Sequence, residues 1–587
     1  NDIRCVSKVC VLFSTFALLL RNQTAERDRL MQFVCLNILS WVSMVSSSQW
    51  LWGLIIFIWS TDNMSCHSES KKNILLIISD DLRPQLNAYA GEDFPAPVYP
   101  TMHTPHIDAL ANEAIVFRRA YAQNAICNPS RASFLTGRRP DTTKTFLSKR
   151  YWRTYGGNFT TIPQFFKEQG YFTAGFGKVF HPGPLSGYDD PISWSQPSDC
   201  SPDYWSYWGL DNSTGVVEDS QEASVPDHGI ARCAMENMEK VVNTTSSHQP
   251  FFFTVGFNLP HLPWIVPKRF FDYYPDNGIR MPSVPNIPAG ETPDVALDRT
   301  PQLRYFTEMK KIGFTATNWT LPEEKVKSLR RAYYASVSFV DYLVGLVTQK
   351  LKDLGLADDT IVVFMGDHGY HLGELGIWEK KTSFEYAIRT PLIIRVPGQT
   401  DKGIVTRHLV ELVDLFPTLA DLAGVDHVPQ CPLADNAAAS PALCTEGTSL
   451  VPLMTNPSRS DWKDAAFTQH IRVGLPGYPT LMGYSIRTDR FRYNRWVAFS
   501  YENNTRNWDD VYAEELYDYQ LSPEENENYA EDSRYSAVKD SLKKKLFLGW
   551  RGDASPTKPS PSQTVASAPL KLLVYIAIFY FQLLFST

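Results

Sequence analysis

The sequence has little excess of either charge, and this narrows the choice of partner. Its 587 residues carry 56 Lys and Arg against 63 Asp and Glu, a formal net charge of -7. A nucleic-acid-binding protein usually needs a basic face that neutralises phosphates. The balance therefore gives no electrostatic case for nucleic acid as a partner, and the hydrophobic share of 43% is that of an ordinary globular protein.

Cysteine is also scarce, with nine in 587 residues. That number excludes a scaffold built from disulfides, so a packed core must supply most of the stability. Cys431 and Cys444 bracket a short Pro/Ala-rich segment and predict a local disulfide, and Cys200 with Cys233 is the expected second pair. Cys127 is then left without a disulfide partner.

Long apolar runs are missing from the N-terminal region. The two runs there, residues 9–20 and 50–59, are shorter than the roughly 20 residues that cross a bilayer. We therefore expect residues 1–70 to be a leader with a signal-peptide core, removed from the mature protein. N-glycosylation sequons also fit a secretory route, although such triplets arise easily by chance; they begin at Asn158, Asn212, Asn243, Asn318 and Asn503.

The C-terminal end, residues 549–587, is expected to be a disordered linker followed by an apolar tail. Residues 552–568 are rich in Ser, Pro, Ala and Thr, and residues 570–585 are apolar apart from Lys571 and Gln582. A polar spacer before a terminal apolar run is the pattern of a glycolipid-anchor (GPI) signal, which would attach the protein to the cell surface. A short tail anchor and a spurious extension of the reading frame are the open alternatives.

What the sequence does contain is a series of buried strands. Residues 71–81, 251–257, 360–365 and 391–396 are apolar without alternation, which is typical of strands covered on both faces of a parallel sheet. Helical patterns lie between them, the clearest at residues 322–352. These features predict an α/β fold with a large central mixed, mostly parallel sheet flanked by helices.

Further patterns predict the remaining organisation. Residues 104–117 and 409–424 have the apolar spacing of helices, the first with Thr104 as its cap. The apolar stripe of the 322–352 helix, which includes Tyr333, is assigned to core packing alone. Residues 482–499 alternate as antiparallel strands around a turn. We expect a catalytic domain over residues 71–450 and a smaller C-terminal α+β domain with an antiparallel sheet over residues 451–548.

Acidic residues follow two of the predicted strands. Asp80 and Asp81 close the first, and Asp367 and His368 follow the strand at residues 360–365. Ligand groups gather at the carboxyl ends of parallel strands, so these side chains can converge on a hard cation with oxygen ligands, for which calcium is the expected ion. A solvated acidic turn is the alternative, but it explains one Asp better than two beside a buried strand.

Lys178, His181 and His261 also lie just after predicted strands. A lone Lys or His is more often a surface or core residue, so position alone favours a function only modestly. Pro260 and Pro263 stiffen the loop that carries His261 and help to hold its side chain in place.

The most distinctive stretch is residues 127–138, C-N-P-S-R-A-S-F-L-T-G-R. A purely structural interpretation is a turn at Asn-Pro, with Ser130 as a cap and residues 132–135 as the start of a helix. It does not explain why Cys127 and Arg131 occur together with the Gly-Arg ending. The stretch resembles the signature of the sulfatase family, in which the cysteine is converted to formylglycine in the endoplasmic reticulum.

The resemblance, which covers residues 73–546, implies a set of site residues. The implied metal ligands for Ca²⁺ are Asp80, Asp81, Cys127, Asp367 and His368. The implied catalytic residues are Cys127, Arg131, Lys178, His181, His261 and Lys380. The implied substrate-binding residues are Lys178, His261, Tyr370 and Lys380.

The family chemistry gives each catalytic residue a role. The aldehyde made from Cys127 would hydrate, one hydroxyl would attack sulfur, and the other would release sulfate by collapse of the adduct. Arg131 would hold this modified residue, while Lys178 and Lys380 would neutralise sulfate oxygens. His181 would assist the collapse, and His261 would donate a proton to the leaving oxygen.

Other stretches narrow the resemblance within the family, namely D-D-L-R-P at Asp80, G-K-V-F-H-P at Gly177, D-H-G at Asp367 and M-G-Y-S-I-R-T at Met482. They resemble lysosomal exo-sulfatases of glycosaminoglycan breakdown. This implies removal of the 2-sulfate from terminal L-iduronate in dermatan and heparan sulfate, after maturation by the formylglycine-generating enzyme. The alternatives are a sulfatase for another sulfated sugar or small sulfate ester, and a catalytically silent homologue that binds sulfated glycans.

Overall fold

The computed structural model describes residues 71–551 except 92–99, 183–185, 198–199, 201–210, 245–248, 287–291, 298–300, 316–319, 433–440 and 476. The expected leader at residues 1–70 and the expected linker and apolar tail from residue 552 onward lie outside the described residues. Within the described ranges, no helix combines the length and the apolar character that a membrane crossing requires.

The described residues form an α/β structure. The strands are, in chain order, β1 (Asn73–Ser79), β2 (Ile115–Tyr121), β3 (Phe172–Gly177), β4 (Thr214–Val217), β5 (Phe251–Phe257), β6 (Trp264–Pro267), β7 (Thr360–Gly366), β8 (Arg389–Arg395), β9 (Ile404–Glu411), β10 (Ala466–Arg472), β11 (Leu481–Arg487), β12 (Phe491–Ser500) and β13 (Thr505–Asp518). The α-helices are α1 (Pro105–Asn112), α2 (Cys127–Thr136), α3 (Pro140–Thr143), α4 (Trp152–Tyr155), α5 (Ile162–Glu168), α6 (Pro226–Thr244), α7 (Lys268–Asp272), α8 (Thr307–Lys311), α9 (Glu323–Asp353), α10 (Glu385–Ile388), α11 (Leu415–Leu422), α12 (Val451–Thr455) and α13 (Ser536–Leu548).

The central sheet of the described part has seven strands in the order β3-β5-β1-β7-β8-β2-β9. All neighbouring pairs are parallel except the two that β8 makes, with β7 and with β2. The expected mixed, mostly parallel sheet is therefore confirmed. The short strands β4 and β6 form a separate parallel pair.

Both faces of the central sheet are covered, which explains why its strands are apolar without alternation. Successive side chains of a strand point to opposite faces. In β1, Leu75 and Ile77 pack in one buried cluster with residues of α6 and α9. Ile74, Leu76 and Ile78 pack in another with residues of α2, α5 and α11.

The second sheet is antiparallel, with the order β10-β11-β12-β13, as expected for the C-terminal region. A buried ionic network joins it to the rest of the described chain. The Glu385 carboxylate of α10 accepts hydrogen bonds from Arg487 Nε at 3.1 Å and Arg492 Nη2 at 2.5 Å. It also accepts one from the Tyr121 hydroxyl of β2 at 2.9 Å. Removing one partner would leave buried charges unpaired, so the network fixes how the two sheets meet.

Two helix predictions extended too far. Within residues 104–117, the helix α1 ends at Asn112 and β2 begins at Ile115. Within residues 409–424, β9 continues to Glu411 and α11 begins only at Leu415. In both stretches an apolar run rich in β-branched residues pairs in the sheet, so sheet pairing overrode the helical spacing.

Thr104 occupies the N-cap position of α1, as expected, but its side chain does not cap the helix. Thr104 makes no side-chain capping bond to the helix backbone; its hydroxyl donates to Asp108. Instead, the Asp341 carboxylate of α9 accepts hydrogen bonds from the backbone N–H groups of His106 at 3.3 Å and Ile107 at 2.7 Å. A residue remote in sequence therefore satisfies the first turn of α1.

The buried carboxyl group of Asp341 should make the stability of the protein depend on pH. Burial raises its pKa from 3.8 to about 7 in the folded protein, against the two N–H groups that lower it. Between these values the folded state binds more protons than the unfolded state, so stability falls as the pH rises. Raising the pH from 5 to 7 should therefore lower the free energy of unfolding of the native protein by about 2 kcal/mol more than that of Asp341→Asn. Urea denaturation at both pH values measures this, and an identical loss in both proteins would refute it.

The expected disulfides are both present. Cys200 is bonded to Cys233, and Cys431 is bonded to Cys444. Cys127 is a free, buried cysteine in the described part of the chain. This leaves its sulfur available for chemical conversion.

Candidate active site

Four adjacent parallel strands, β3, β5, β1 and β7, end at one edge of the central sheet. The polar residues predicted from the sequence follow these ends directly or within a short loop. The shared edge carries Lys178 after β3, His261 after β5, Asp80 and Asp81 after β1, and Asp367 and His368 after β7. The sheet topology thus brings residues from four distant stretches together.

Most of the signature stretch, residues 127–138, forms the helix α2 beside this edge of the sheet. The helix α2 begins at Cys127, three residues earlier than Ser130, so the expected cap at Ser130 was wrong. The Ser130 hydroxyl instead donates to the Asp367 carbonyl oxygen at 2.6 Å. Residue 127 consequently lies in the first turn of α2, where unpaired N–H groups carry partial positive charge.

Acidic, histidine and cysteine side chains cluster around this helix end. Two overlapping groups have ligand atoms within 4.8 Å of one another; the first contains Asp80, Asp81, Cys127 and His261, and the second contains Asp80, Cys127, Asp367 and His368. All of these side chains are buried. Asp367 Oδ1 accepts hydrogen bonds from the N–H groups of Asp81 at 3.1 Å and His368 at 2.9 Å, which fixes the carboxylates in place.

His368 gives the clearest sign that a cation belongs in the cluster. Its Nδ1 lies 2.9 Å from the Gly369 carbonyl oxygen and therefore carries the ring proton. The Nε2 atom, buried and without a hydrogen-bond partner among the described residues, lies 3.6 Å from Asp81 Oδ1 and 3.7 Å from Asp367 Oδ2. A lone pair that faces two carboxylates is unfavourable, and a divalent metal between them would bind all three groups, so the donor set fits a divalent metal.

Three basic side chains surround the same carboxylates. Lys178 Nζ pairs with Asp80, and Lys380 Nζ lies 2.7 Å from both carboxylate oxygens of Asp81. Arg131 Nε donates to Asp367 Oδ2 at 2.9 Å, and its Nη1 donates to the Val179 carbonyl oxygen at 3.0 Å. These groups are fully buried, so their charges act in a low dielectric, where electrostatic interactions are strong.

The carboxylates differ in how well their charge is compensated. Burial raises the pKa of Asp81 to about 6 against the opposing Lys380, and burial together with Asp80 raises the pKa of Asp367. Although burial opposes it, the charges of Lys178 and Arg131 hold the pKa of Asp80 well below its usual value. Burial thus outweighs the positive charges that pair with Asp81 and Asp367, and it favours the protonated form of both carboxylates.

The two predicted catalytic histidines border the cluster. His261 Nδ1 lies 2.7 Å from the Leu262 carbonyl oxygen, and its Nε2 lies 4.0 Å from Asp81 Oδ2. Burial and the nearby lysines lower its pKa well below 6.5. Burial and Lys178 likewise lower the pKa of His181 to about 3. Both shifts favour the neutral ring, whereas a bound anion such as sulfate would favour the protonated one.

Tyr370, predicted to bind substrate, is buried beneath Lys380. Its hydroxyl donates to the Trp378 carbonyl oxygen at 3.2 Å, and the Lys380 ammonium lies 6.0 Å from its ring centroid. Its ring packs edge-on against Trp264 at 6.0 Å between centroids. This arrangement supports Lys380, and direct contact between Tyr370 and substrate stays a prediction.

Sequence reasoning missed two residues that shape the site. Tyr333, assigned to core packing alone, donates its hydroxyl to the Asp81 carbonyl oxygen at 2.8 Å. The buried Asp227 carboxylate accepts from the N–H groups of Leu259 at 2.7 Å and Asn258 at 3.1 Å, which holds the loop of His261. Both contacts join residues far apart in sequence, so no local pattern could reveal them.

The chain matches two family profiles. The one described as Sulfatase covers residues 72–425, and N-sulphoglucosamine sulphohydrolase, C-terminal, covers residues 373–549. It is 37% identical to iduronate 2-sulfatase of Mus musculus and 36% identical to that of Homo sapiens, over 80% and 79% of this chain and 93% and 92% of those proteins. It is 30% identical to choline-sulfatase of Rhizobium meliloti over 79% of this chain and 83% of that protein.

Solved structures agree on the fold. The phosphonate monoester hydrolase of Agrobacterium radiobacter matches with a TM-score of 0.61 at 22% identity, over 82% of this chain and 95% of that chain. The match at this identity supports the architecture, and the family profile supports the activity class. The chain therefore belongs to the sulfatase family of sulfuric ester hydrolases.

Proposed function

We propose that this protein is an exo-sulfatase that removes the 2-sulfate from terminal L-iduronate 2-sulfate in dermatan and heparan sulfate. The observation that carries the proposal is one buried cluster in which three carboxylates and an unpartnered histidine nitrogen surround Cys127. The two relatives named iduronate 2-sulfatase support the choice of sugar.

The proposed metal ion is calcium, held by Asp80, Asp81, Asp367, His368 and an oxygen of the modified residue 127. Three carboxylates supply the oxygen ligands that Ca²⁺ prefers, while a single nitrogen is tolerated. The bound ion would supply positive charge beside the sulfate oxygens and the nucleophile. Such a charge would also favour the ionised form of Asp81 and Asp367, whose pKa values are raised by burial.

The proposed nucleophile comes from Cys127 after its conversion to formylglycine. The hydrated aldehyde supplies an oxygen nucleophile and a route for releasing sulfate without hydrolysis of a second ester. Arg131 orients this residue, since its guanidinium also bonds Asp367 and the carbonyl oxygen that follows Lys178. Conversion requires the formylglycine-generating enzyme as a maturation partner.

The basic and imidazole groups take the remaining roles. Lys178 and Lys380 bind the sulfate oxygens and stabilise the charge that develops on them. His181, next to Lys178, takes the proton from the modified residue when sulfate leaves. His261 has Nε2 directed at the cluster and delivers a proton to the leaving sugar oxygen once the ring is protonated.

The proposed cellular setting follows from the same reading of the sequence. Residues 1–70 are a leader for the secretory pathway, residues 71–450 form the catalytic domain and residues 451–548 form a C-terminal domain. The lysosome is the proposed site of action. The apolar sequence at residues 570–585 is the candidate for a glycolipid-anchor signal, which would place the protein at the cell surface instead.

A substrate panel tests the function. Purified protein is assayed on a disaccharide with terminal iduronate 2-sulfate, on glucosamine 6-sulfate and N-sulfate, and on choline sulfate. We expect kcat/KM for the iduronate substrate to exceed the others by about 100-fold or more, because specific polar recognition of a sugar discriminates at least this strongly. Turnover of the other esters with none of the iduronate substrate would refute the sugar assignment but leave the sulfatase activity intact.

A further inference from the structure

The hydroxyl of Tyr333 is a polar group in the otherwise apolar stripe of α9. Tyr333 is fully buried, and its ring packs edge-on against Trp264 at 5.6 Å between centroids and stacks with Tyr370 at 6.3 Å. A phenylalanine would keep these ring contacts. Because a buried hydroxyl without hydrogen bonds is costly, the oxygen needs a role that core packing does not supply.

That oxygen bonds the backbone of the turn after β1 at two points. The Tyr333 hydroxyl donates to the Asp81 carbonyl oxygen at 2.8 Å and accepts from the N–H of Arg83 at 3.2 Å. One side-chain atom therefore joins the two ends of residues 81–83, and its donor and acceptor functions are both used.

The backbone of Asp81 is in a conformation that needs support. Its φ is +60°, in the left-handed region that few residues other than glycine adopt. Such a conformation persists only where surrounding contacts hold it. Besides Tyr333, the Asp367 carboxylate accepts from the Asp81 N–H at 3.1 Å, and the Thr390 hydroxyl donates to the Leu82 carbonyl oxygen at 2.9 Å.

The helix α9 also holds the side chain of Arg83. Glu374 Oε1 lies 2.9 Å from Arg83 Nη1 and 3.0 Å from Arg330 Nη1, and all three side chains are buried. Arg330 precedes Tyr333 by about one turn of the helix. A single helix thus holds the turn by its backbone, through Tyr333, and by its side chain, through Glu374.

The conformation of this turn determines where the Asp81 carboxylate lies. Its Oδ1 is 3.6 Å from His368 Nε2, and its Oδ2 is 4.0 Å from His261 Nε2. Both histidines belong to the clusters that could hold a metal ion. A metal site requires its ligand atoms within a few tenths of an ångström of their ideal distances, so a shift of the turn would weaken it.

We propose that Tyr333 is a positioning residue of the metal site, whose hydroxyl holds residues 81–83 in the conformation that presents the Asp81 carboxylate to the ion. This inference rests on the proposed function, in which Asp81 is a calcium ligand. It gives α9, whose apolar stripe was assigned to core packing alone, a part in metal binding.

Tyr333→Phe tests the inference because it removes one oxygen and keeps the ring. After chelator treatment, we expect the dissociation constant for Ca²⁺, measured by titration calorimetry, to rise about tenfold or more, since groups that orient metal ligands contribute 10–100-fold. At saturating Ca²⁺, kcat should return to within about threefold of the native value, because the hydroxyl acts through the ion's ligand. A residue needed only for folding would leave the dissociation constant unchanged.

The matched control is Tyr334→Phe. Tyr334 is the next residue of α9 and is also buried, but among the described residues its hydroxyl makes no hydrogen bond to the turn after β1. Its removal should leave the affinity for Ca²⁺ and the turnover unchanged. Urea denaturation verifies that both variants fold.

A double-mutant cycle with Asp81→Asn separates positioning from a general effect on the fold. In the Asp81→Asn background, Tyr333→Phe should raise the dissociation constant by no more than about twofold, because the carboxylate that the hydroxyl places is already lost. An equal rise in both backgrounds, an unchanged affinity in Tyr333→Phe, or failure of that variant to fold would each overturn the inference.

Failure of the inference can be told apart from failure of the proposed function. If the native protein binds Ca²⁺ and cleaves the iduronate substrate while Tyr333→Phe binds Ca²⁺ equally well, only the inference is refuted. Absence of calcium binding by the native protein would overturn the inference together with the calcium assignment. If the native protein also cleaves no sulfate ester, the proposed function fails with them.

Discussion

Replacement of Cys127 with alanine should abolish sulfate ester hydrolysis while the protein stays folded. We expect kcat/KM to fall by at least about 1,000-fold, as for the loss of the nucleophile in other covalent catalysts. The free energy of unfolding should change by only about 1 kcal/mol, because only a small buried side chain is truncated. Turnover of the iduronate substrate and urea denaturation measure the two effects.

Ser133→Ala is the matched control for this variant. Ser133 lies in the same helix, is fully buried and has a hydroxyl without a hydrogen-bond partner among the described residues. Removing that hydroxyl should change neither turnover nor stability by a measurable amount. A loss of activity in both variants would mean that α2 tolerates no change, and it would say nothing specific about residue 127.

The chemical state of residue 127 gives an independent test. Burial raises the pKa of the Cys127 thiol, with the Asp80 charge adding to the effect, so an unmodified cysteine would be protonated and a poor nucleophile. Mass spectrometry of the peptide containing residue 127 should find the aldehyde in place of the thiol in active material. Full activity from material that retains the thiol would contradict the mechanism.

The central sheet could be predicted because burial on both faces leaves a strong sequence signal. The runs at β1, β5 and β7 are apolar throughout, and the acids that follow β1 and β7 indicated a cluster that could hold a metal ion. The boundary between α1 and β2 was predicted wrongly, because Ile115 and Val116 suit the apolar stripe of a helix as well as a strand. Only their pairing with β8 and β9 decides between the two structures.

The contacts that position the site were harder to predict than its ionisable groups. Asp80, Asp367 and Lys178 follow strands and could be recognised by that position. Tyr333 could not, because its hydroxyl reaches Asp81 through tertiary packing across 252 residues of sequence. The apolar pattern of a helix or strand predicts which of its faces is buried. It does not predict which polar atom on that face contacts a distant loop.

Turnover should depend on a bound metal ion, and binding of that ion should depend on Asp367. After treatment with a chelator, added Ca²⁺ should restore turnover to the native protein and stabilise it by about 2.7 kcal/mol at a concentration 100 times the dissociation constant. In Asp367→Asn, the affinity for Ca²⁺ and the turnover should both fall by about 100-fold or more, because loss of groups that only orient metal ligands already costs 10–100-fold. The asparagine oxygen can still accept the two backbone N–H bonds that Asp367 Oδ1 accepts, so the loop geometry is retained.

Asp341→Asn is the control for this substitution, since Asp341 is an equally buried carboxylate that caps α1 and does not belong to the metal cluster. Its Ca²⁺ response and turnover should match those of the native protein. The decisive comparison is the calcium-dependent increase in the free energy of unfolding, because it does not depend on substrate. If Ca²⁺ stabilises Asp367→Asn as much as the native protein, then Asp367 is not a ligand. If neither protein responds to Ca²⁺, the assignment of calcium to this cluster is refuted.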